Sequence, residues 1–388
     1  MIEGTVSISR KGEARIRRGH PWIFRSDVTS EAGVPPGALV EVRGAAGKPL
    51  GFALYSSRSE IRLRLLTRGE TLAPTFLRDR LAAALAWRGT IAGGAEACRL
   101  VHAEGDGLPS LIVDRYGEHL VVQTLSQGME RLKGELVRLL VELLNPRGIL
   151  ERNDPKVRAL EGLEQNVGLL MGEVPARVEV REGEVRLEAD LWKGQKTGLF
   201  LDQRENHLMA RGYARGRVLD AFSYQGGFAL QVAGAAEAVL AVDVSADAVA
   251  RVRSNAERNA ITNVSTREDN AFDLLRELSD RGERFDTVIL DPPAFAKSKE
   301  AVERAWRGYK EINLRALRLL SPGGCLITCS CSYHVHEPDF EAILTEAAID
   351  AGVAVSVVEK RRQGRDHPVV LGVPETHYLK CLVLRRLA

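Results

Sequence analysis

The sequence predicts a doubly wound α/β domain with a mostly parallel sheet, preceded by a small β-barrel and an α+β module. Three observations carry this expectation. From about residue 188 a strand, a glycine turn and a helix recur, in "RVLDAFSYQGGFALQVAG", "AVLAVDVSADAVARVRSNAERNA", "VSTREDNAFDLLREL" and "FDTVILDPPAFAKS", the rhythm of a sheet wound on both faces. Residues 1–72 alternate apolar and polar positions between Pro and Gly clusters, in "VPPGALVEV", "GAAGKPLGFALY" and "SEIRLRLL", which reads as the short strands of a barrel. A chain of 388 residues also exceeds what one compact core holds.

Composition narrows the function classes. Hydrophobic residues make up 45% and charged residues 27%, ordinary for a globular protein, and no apolar run approaches the roughly 18 residues of a membrane helix. A membrane is therefore not an expected partner. The N-terminal stretch "MIEGTVSISRKGEARIRRGH" has no apolar core of signal-peptide type, which places the protein in the cytoplasm. Five cysteines are too few and too odd for a disulfide framework. The net charge is only +2, but residues 1–72 hold 12 Lys/Arg against 7 Asp/Glu, and that local excess suggests a polyanion.

The barrel segment "RIRRGHPWIFRSDV" interleaves Arg15, Arg17, Arg18, His20 and Arg25 with Trp22 and Phe24. Cations between aromatic rings suit nucleic-acid backbones and bases. The competing reading takes the aromatics as core and the arginines as a solvated face. Residues 73–187 mix helices ("TFLRDRLAAALAWR", "MERLKGELVRLLVELL") with strands ("PSLIVDRYGEHLVVQTL", "ARVEVREGEVRLEAD"), an α+β pattern without a catalytic constellation. In "VHAEGDGLPSLIVD", a strand-turn-strand connection accounts for Glu104, Asp106 and Gly107.

Ligands of a doubly wound sheet bind at the carboxyl ends of its strands, and acidic residues recur there. "VLDAFSYQGG" ends the first strand with Asp220 and turns through Gly226 and Gly227, which let a backbone approach a ligand closely. It lacks both the G-x-G-x-x-G fingerprint and a P-loop lysine, which disfavours nicotinamide and ATP. Asp243 ends the second strand, where a carboxylate can accept both hydroxyl protons of a ribose. Asp269 and Asn270 follow the third strand, in reach of an adenine, and Asp291 in "VILDPPAF" closes the fourth. Singly, such residues are more often helix caps; four in register point to a ligand.

With these motifs the sequence resembles the class I S-adenosylmethionine-dependent methyltransferases, and more closely the bacterial ribosomal RNA methyltransferase family that makes 5-methylcytosine in 23S rRNA. The resemblance runs through "GHPWIF", "LVHAEGDGLP", "GQKTGLFLDQREN", "DAFSYQGGFAL", "DPPAFAKSK", "RGYKEIN", "SCS" and "DHPV…PETHYLK". It implies a PUA-like RNA-binding domain over residues 1–72, with Arg15, Arg17, Arg18, Trp22 and Arg25 as RNA contacts, and a central α+β domain over 73–187. Residues 188–388 would form a seven-stranded, Rossmann-like methyltransferase domain with an antiparallel last hairpin at "THYLKCLVLRRL". By the same resemblance Asp220, Phe222, Gly226, Gly227, Asp243, Asp269, Asn270 and Asp291 line the S-adenosylmethionine pocket, and Lys196, Thr197, Phe200 and Gln203 close over it. Large-subunit ribosomal RNA is the implied partner, and a homodimer is compatible with the family.

The stretch "ITCSCSYHVH" supplies two cysteines and two histidines. Methylating a cytosine ring carbon requires a soft nucleophile to add first at carbon 6, and a thiolate is suited to this. Cys329 and Cys331 lie two apart on a strand and share a face. Cys331, nearer the carboxyl end and inside "SCS", matches the family's nucleophile, whereas Cys329 reads as packing. A zinc site with His334 and His336 is disfavoured, because the cysteines are spaced too tightly and no second pair exists; the histidines read as loop residues near the RNA. Related enzymes carry a second cysteine after the fourth strand, where this chain has "DPPA". Asp291 can hydrogen-bond protonated ring nitrogen 3 instead, and the target base must flip out to be reached. Two other functions remain open: methylation of an exocyclic amine or a guanine ring nitrogen, which needs no thiol, and a non-catalytic RNA-binding assembly factor.

Overall fold

The structure is a computed structural model that describes residues 2–296 and 299–387. Lys297 and Ser298 of the "DPPAFAKSK" motif lie outside the described residues. The chain divides into two compact units: Met1–Val180, Ala189–Leu201 and Arg365–Thr376 form the first, and Arg181–Glu188, Asp202–Gly364 and His377–Ala388 the second. No helix among the described residues is long and apolar enough to cross a membrane.

The first unit begins with a barrel-like sheet of six strands, ordered Trp22–Phe24, Ile61–Thr67, Pro49–Tyr55, Leu39–Arg43, Thr5–Ile8, Val28–Ser30. Alternation along these strands buries Val6, Ile8, Val40, Val42, Ala53 and Leu63 in one core. The expectation that residues 1–72 form strands alone is corrected at Arg10–Arg17, which is a helix. Five of its eight residues are charged, so no apolar stripe marks it. It holds because Ser9 caps it, accepting from the Gly12 amide at 3.2 Å, and because Ile16 enters the sheet's core.

A second sheet in this unit has five strands, ordered Asn166–Gly172, Gly148–Asn153, His119–Thr124, Leu111–Tyr116, Ala97–His102. Helices Phe76–Ile91 and Lys133–Leu144 pack Leu77, Leu81, Leu136, Leu139 and Leu140 onto its Val101, Val113 and Val122. The strand Gly148–Asn153 is illegible in "GILERN" because its last three residues are polar. In the fold they are buried and paired: Lys133 reaches Glu151 at 2.9 Å, Arg152 donates to the Leu191 and Gly194 carbonyls at 2.7 and 2.9 Å, and Asn153 accepts from the Thr124 amide at 2.8 Å. Between Ala97–His102 and Leu111–Tyr116 the chain turns through a short 3-10 helix and a left-handed Gly107, with φ of 66°, the strand-turn-strand connection expected there.

The second unit is built on one seven-stranded sheet. Numbered within this unit, its strands are β1 (Arg217–Ala221), β2 (Ala238–Asp243), β3 (Val264–Glu268), β4 (Phe285–Leu290), β5 (Leu320–Ser330), β6 (Val355–Arg362) and β7 (Lys380–Arg386). Its helices are α1 (Arg204–Ala210), α2 (Gly227–Val232), α3 (Ala246–Arg258), α4 (Ala271–Asp280), α5 (Val302–Leu319) and α6 (Glu337–Ala351). The order is β3-β2-β1-β4-β5-β7-β6. The first five strands pair in parallel, and β7 lies antiparallel between β5 and β6. The order reverses at β1 and β4, which opens a crevice at their carboxyl ends. In register, Ala221 pairs with Val242 and Leu290, so the residues that follow β2 and β4 flank the end of β1.

Within the first unit, Arg64 of the barrel-like sheet donates to Glu161 at 2.8 Å, and both side chains are buried. Replacing Arg64 with Ala leaves a buried carboxylate without its cation, which costs about 3 to 5 kcal/mol. Chemical denaturation of Arg64→Ala should show that loss, and an unchanged midpoint would refute the importance of the pair.

Candidate active site at the strand ends

Asp220, on β1, is fully buried. One carboxyl oxygen accepts from the Ala229 amide of α2 at 2.9 Å, and the other has no hydrogen-bond partner among the described residues. Burial, then the nearby Asp291 carboxylate, push its pKa up to about 8. The loop that follows is strained: Phe222 and Tyr224 have φ of 70° and 47°, and Gly226 has 88°. Ser223 is buried there, and its hydroxyl also lacks a partner among the described residues.

The glycine pair also has a packing reason within the protein. A Cβ at Gly227 would lie 2.4 Å from Cε1 of His207, and Gly226 occupies the left-handed region. Gly227 thus admits the His207 ring of α1, which stacks edge-on against Phe228 at 4.5 Å and bonds Glu182 at 2.8 Å, whereas Gly226 abuts Leu230 and Val252. Burial disfavours the His207 imidazolium, but Glu182, aided by Asp291 and Asp220, outweighs it and the pKa is raised. Nothing in "REN" before His207 signals this pair in the sequence.

Asp243 ends β2, and its two oxygens accept from the Tyr224 and Ser245 amides, each at 2.9 Å. After β3, Asp269 pairs with Arg267 at 2.7 Å and accepts from the Asn270 amide at 2.7 Å. The carbonyl of Asn270 caps α4 through the Phe272 amide at 2.9 Å, so part of the side chain assigned to an adenine is committed to the helix. Gln203, just before α1, donates to Asp291 at 2.8 Å.

Cys331 follows the last rung of β5 and is half-buried; its Sγ lies 3.7 Å from the Pro292 carbonyl oxygen. Cys329 is fully buried opposite Cys381 of β7, and burial with that neighbour raises its pKa well above the ordinary value. A polar clamp holds the loop beyond Cys331. The Ser332 hydroxyl meets the Tyr309 hydroxyl at 2.9 Å and accepts from the Ala296 amide at 3.1 Å, which ties the "DPPAF" loop to this one. Asn313, one turn along α5, donates to the Tyr309 carbonyl at 2.8 Å and accepts from Thr328 at 2.7 Å. Burial pushes the Tyr309 hydroxyl up to about 12. The i, i+4 spacing of Tyr309 and Asn313 in "GYKEIN" was the available signal. His336 is corrected from a loop residue to the N-cap of α6, in a capping box with Asp339 at 3.0 Å.

In the first unit, Thr197 is buried, donates to Asp114 at 2.7 Å and meets the Tyr116 hydroxyl at 2.9 Å. Lys196 has φ of 56°, with its Nζ 5.7 Å from the Phe200 ring. Arg15 turns inward onto Asp27 at 3.2 Å and onto the Phe24 ring at 4.6 Å. Arg17, Arg18 and Arg25 are exposed, and the half-buried Trp22 donates to Glu104 at 2.9 Å.

Comparisons with known proteins agree with this geometry. A family model for S-adenosylmethionine-dependent methyltransferases matches residues 162–385, and one for PUA-like domains matches residues 6–68. Ribosomal RNA large subunit methyltransferase I of Tolumonas auensis is 40% identical over 98% of this chain and 99% of its own length. The protein of that name from Klebsiella pneumoniae strain 342 is 40% identical over 97% of each. Among solved structures, SMU.776, a methyltransferase complexed with SAH, superposes with a TM-score of 0.84 at 21% identity over 99% of this chain and 100% of that one. The chain belongs to the S-adenosylmethionine-dependent methyltransferases, within the ribosomal RNA large subunit methyltransferase I family. The residues present fit that cofactor: the unpaired oxygen of Asp220 and the hydroxyl of Ser223 need polar partners, and S-adenosylmethionine carries an ammonium and ribose hydroxyls.

Asp220 also links stability to pH. The folded protein holds its proton up to about pH 8, whereas an unfolded Asp releases it near ~3.9. Its contribution is therefore fully present below about pH 4 and is lost as pH rises through about 8. The cofactor-free Asp220→Asn variant should gain stability relative to wild type as pH rises across that window. A difference in melting temperature that does not change with pH would show that Asp220 is ionised in the fold.

Proposed function

We propose that this chain methylates carbon 5 of a cytosine in large-subunit (23S) ribosomal RNA, with Cys331 adding covalently to carbon 6 of the base. The observation that carries the reading is the contrast between two cysteines two residues apart: Cys329 is sealed against Cys381, while Cys331 stands half-exposed beyond the strand, beside the loop that bears Asp291. The relatives' names, ribosomal RNA large subunit methyltransferase I, support the substrate.

Bound S-adenosylmethionine supplies an electrophilic methyl group. Asp220 accepts from its ammonium and Asp243 from its ribose hydroxyls, while Ser223 offers a further buried hydroxyl. Asp291, steadied by Gln203 at 2.8 Å, hydrogen-bonds the protonated ring nitrogen 3 and makes carbon 6 more electrophilic. The Cys331 thiolate adds there and turns carbon 5 into a nucleophile, which bonds the methyl carbon as the sulfonium–methyl bond breaks; loss of the carbon 5 proton to water then re-forms the 5,6 double bond and expels the thiolate. The Tyr309–Ser332 clamp keeps the cysteine loop against the "DPPAF" loop, and the base reaches both only when flipped out. Exposed Arg17, Arg18 and Arg25 contact phosphates.

Fluorine at cytosine carbon 5 blocks elimination, so wild type and Cys329→Ser should form an RNA adduct that survives denaturing electrophoresis, and Cys331→Ser should not. Trapping by Cys331→Ser would overturn the assignment, and a methylated exocyclic amine without an adduct would favour the amino-group reading. For the cofactor, Asp243→Ala should weaken S-adenosylmethionine binding by about 1.5 to 3 kcal/mol in calorimetry, because a charged acceptor is lost; unchanged affinity would point to another residue.

A further inference from the structure

Lys380 is the first residue of β7 and is almost completely buried. Its Cα pairs with Ser330, the last residue of β5, and its Nζ donates to the Ser332 carbonyl at 2.7 Å and to the Tyr378 carbonyl at 2.9 Å. The amine therefore spans the short segment whose middle residue is Cys331. Among the described residues no carboxylate lies within ion-pairing distance of Nζ, and both hydrogen bonds go to neutral carbonyls. A buried lysine held this way is costly as an ammonium and is a ready proton acceptor.

We propose that Lys380 and Cys331 form a proton-sharing dyad, in which the lysine amine takes the thiol proton and the resulting ammonium keeps Cys331 as a thiolate. The inference rests on the cysteine-adduct reading and adds to it the residue that activates the nucleophile. The S–H bond breaks and an N–H bond forms, so a neutral pair becomes an ion pair without net charge change. Sulfur then donates its electron pair to carbon 6 of the base, and elimination returns that pair to sulfur beside the same ammonium. Burial brings the lysine pKa down to about 8, with Cys331 and then Asp339 and Glu337 of α6 opposing the shift. The other groups that face the pair are His377, on which Lys380 acts, and Tyr309 of α5, on which Cys331 acts.

The dyad can be tested on the full chain without RNA, by following iodoacetamide alkylation of Cys331 against pH with peptide mass spectrometry. In the wild type, alkylation should reach half its maximal rate below ~8.5, the ordinary thiol range. Lys380→Met should lower the rate at pH ~7 by about tenfold, the equivalent of one pKa unit. Lys380→Arg, which keeps the cation, should retain most of the wild-type rate. S-adenosylmethionine binding by calorimetry reports whether each variant is folded. A wild-type profile of an ordinary thiol, or a folded Lys380→Met with an unchanged profile, would overturn the dyad. Should a variant not fold, the wild-type profile decides alone. Because alkylation needs no nucleic acid, failure here stays distinct from failure of the fluorocytosine adduct, which tests the cysteine reading itself.

Discussion

The buried carboxyl group of Asp220 constrains the architecture around it. One oxygen is bound to the Ala229 amide and the other is left unpaired inside the protein, an arrangement that costs free energy unless a proton or a cationic ligand answers it. The surrounding parts fit that demand. The strained turn at Phe222 and Tyr224 brings the backbone back over β1, the Ala229 amide of α2 reaches the carboxyl group, and His207 adds positive charge from α1. A buried carboxyl group with an open oxygen suits the ammonium of a sulfonium cofactor.

A second constraint acts at the other side of the crevice, where the cysteine proposed as nucleophile must be reachable yet fixed. β5 ends at Ser330, so Cys331 leaves the ladder while Cys329 stays in it. The freed segment is held from two sides: Tyr309 and Asn313 of α5 grip it through Ser332 and Thr328, and Lys380 of β7 grips its carbonyl. Two elements distant in sequence, α5 and β7, thus meet on Ser332, and α5 also reaches Thr328 within β5. Under the proposed dyad, the lysine that satisfies a main-chain carbonyl here would also set the electrostatics of the thiol.

Much of this was legible in the sequence. The recurring strand-turn-helix rhythm announced the doubly wound sheet, and the acidic residues at Asp220, Asp243 and Asp291 fell where that topology puts strand ends. The signal failed where polarity misled. "RKGEARIR" hid a helix because one isoleucine and a cap suffice to hold it, and "GILERN" hid a strand because its polar residues find partners remote in sequence. Gly226 and Gly227 were recognised in the sequence, but the packing of the His207 ring against Gly227 was not, because His207 comes from another helix.

The sequence by itself determined the alternation of elements, and with it the edge of the sheet on which the acidic residues and Cys331 gather, because a parallel sheet directs every strand's carboxyl end the same way. Tertiary structure alone decided that Cys329 is sealed by Cys381, that the His207 ring packs on Gly227, and that Lys380 and Tyr309 attend the cysteine loop. The physical reason is that periodicity follows from local backbone geometry, whereas burial, hydrogen-bond satisfaction and shifted ionisation depend on residues brought together from far along the chain.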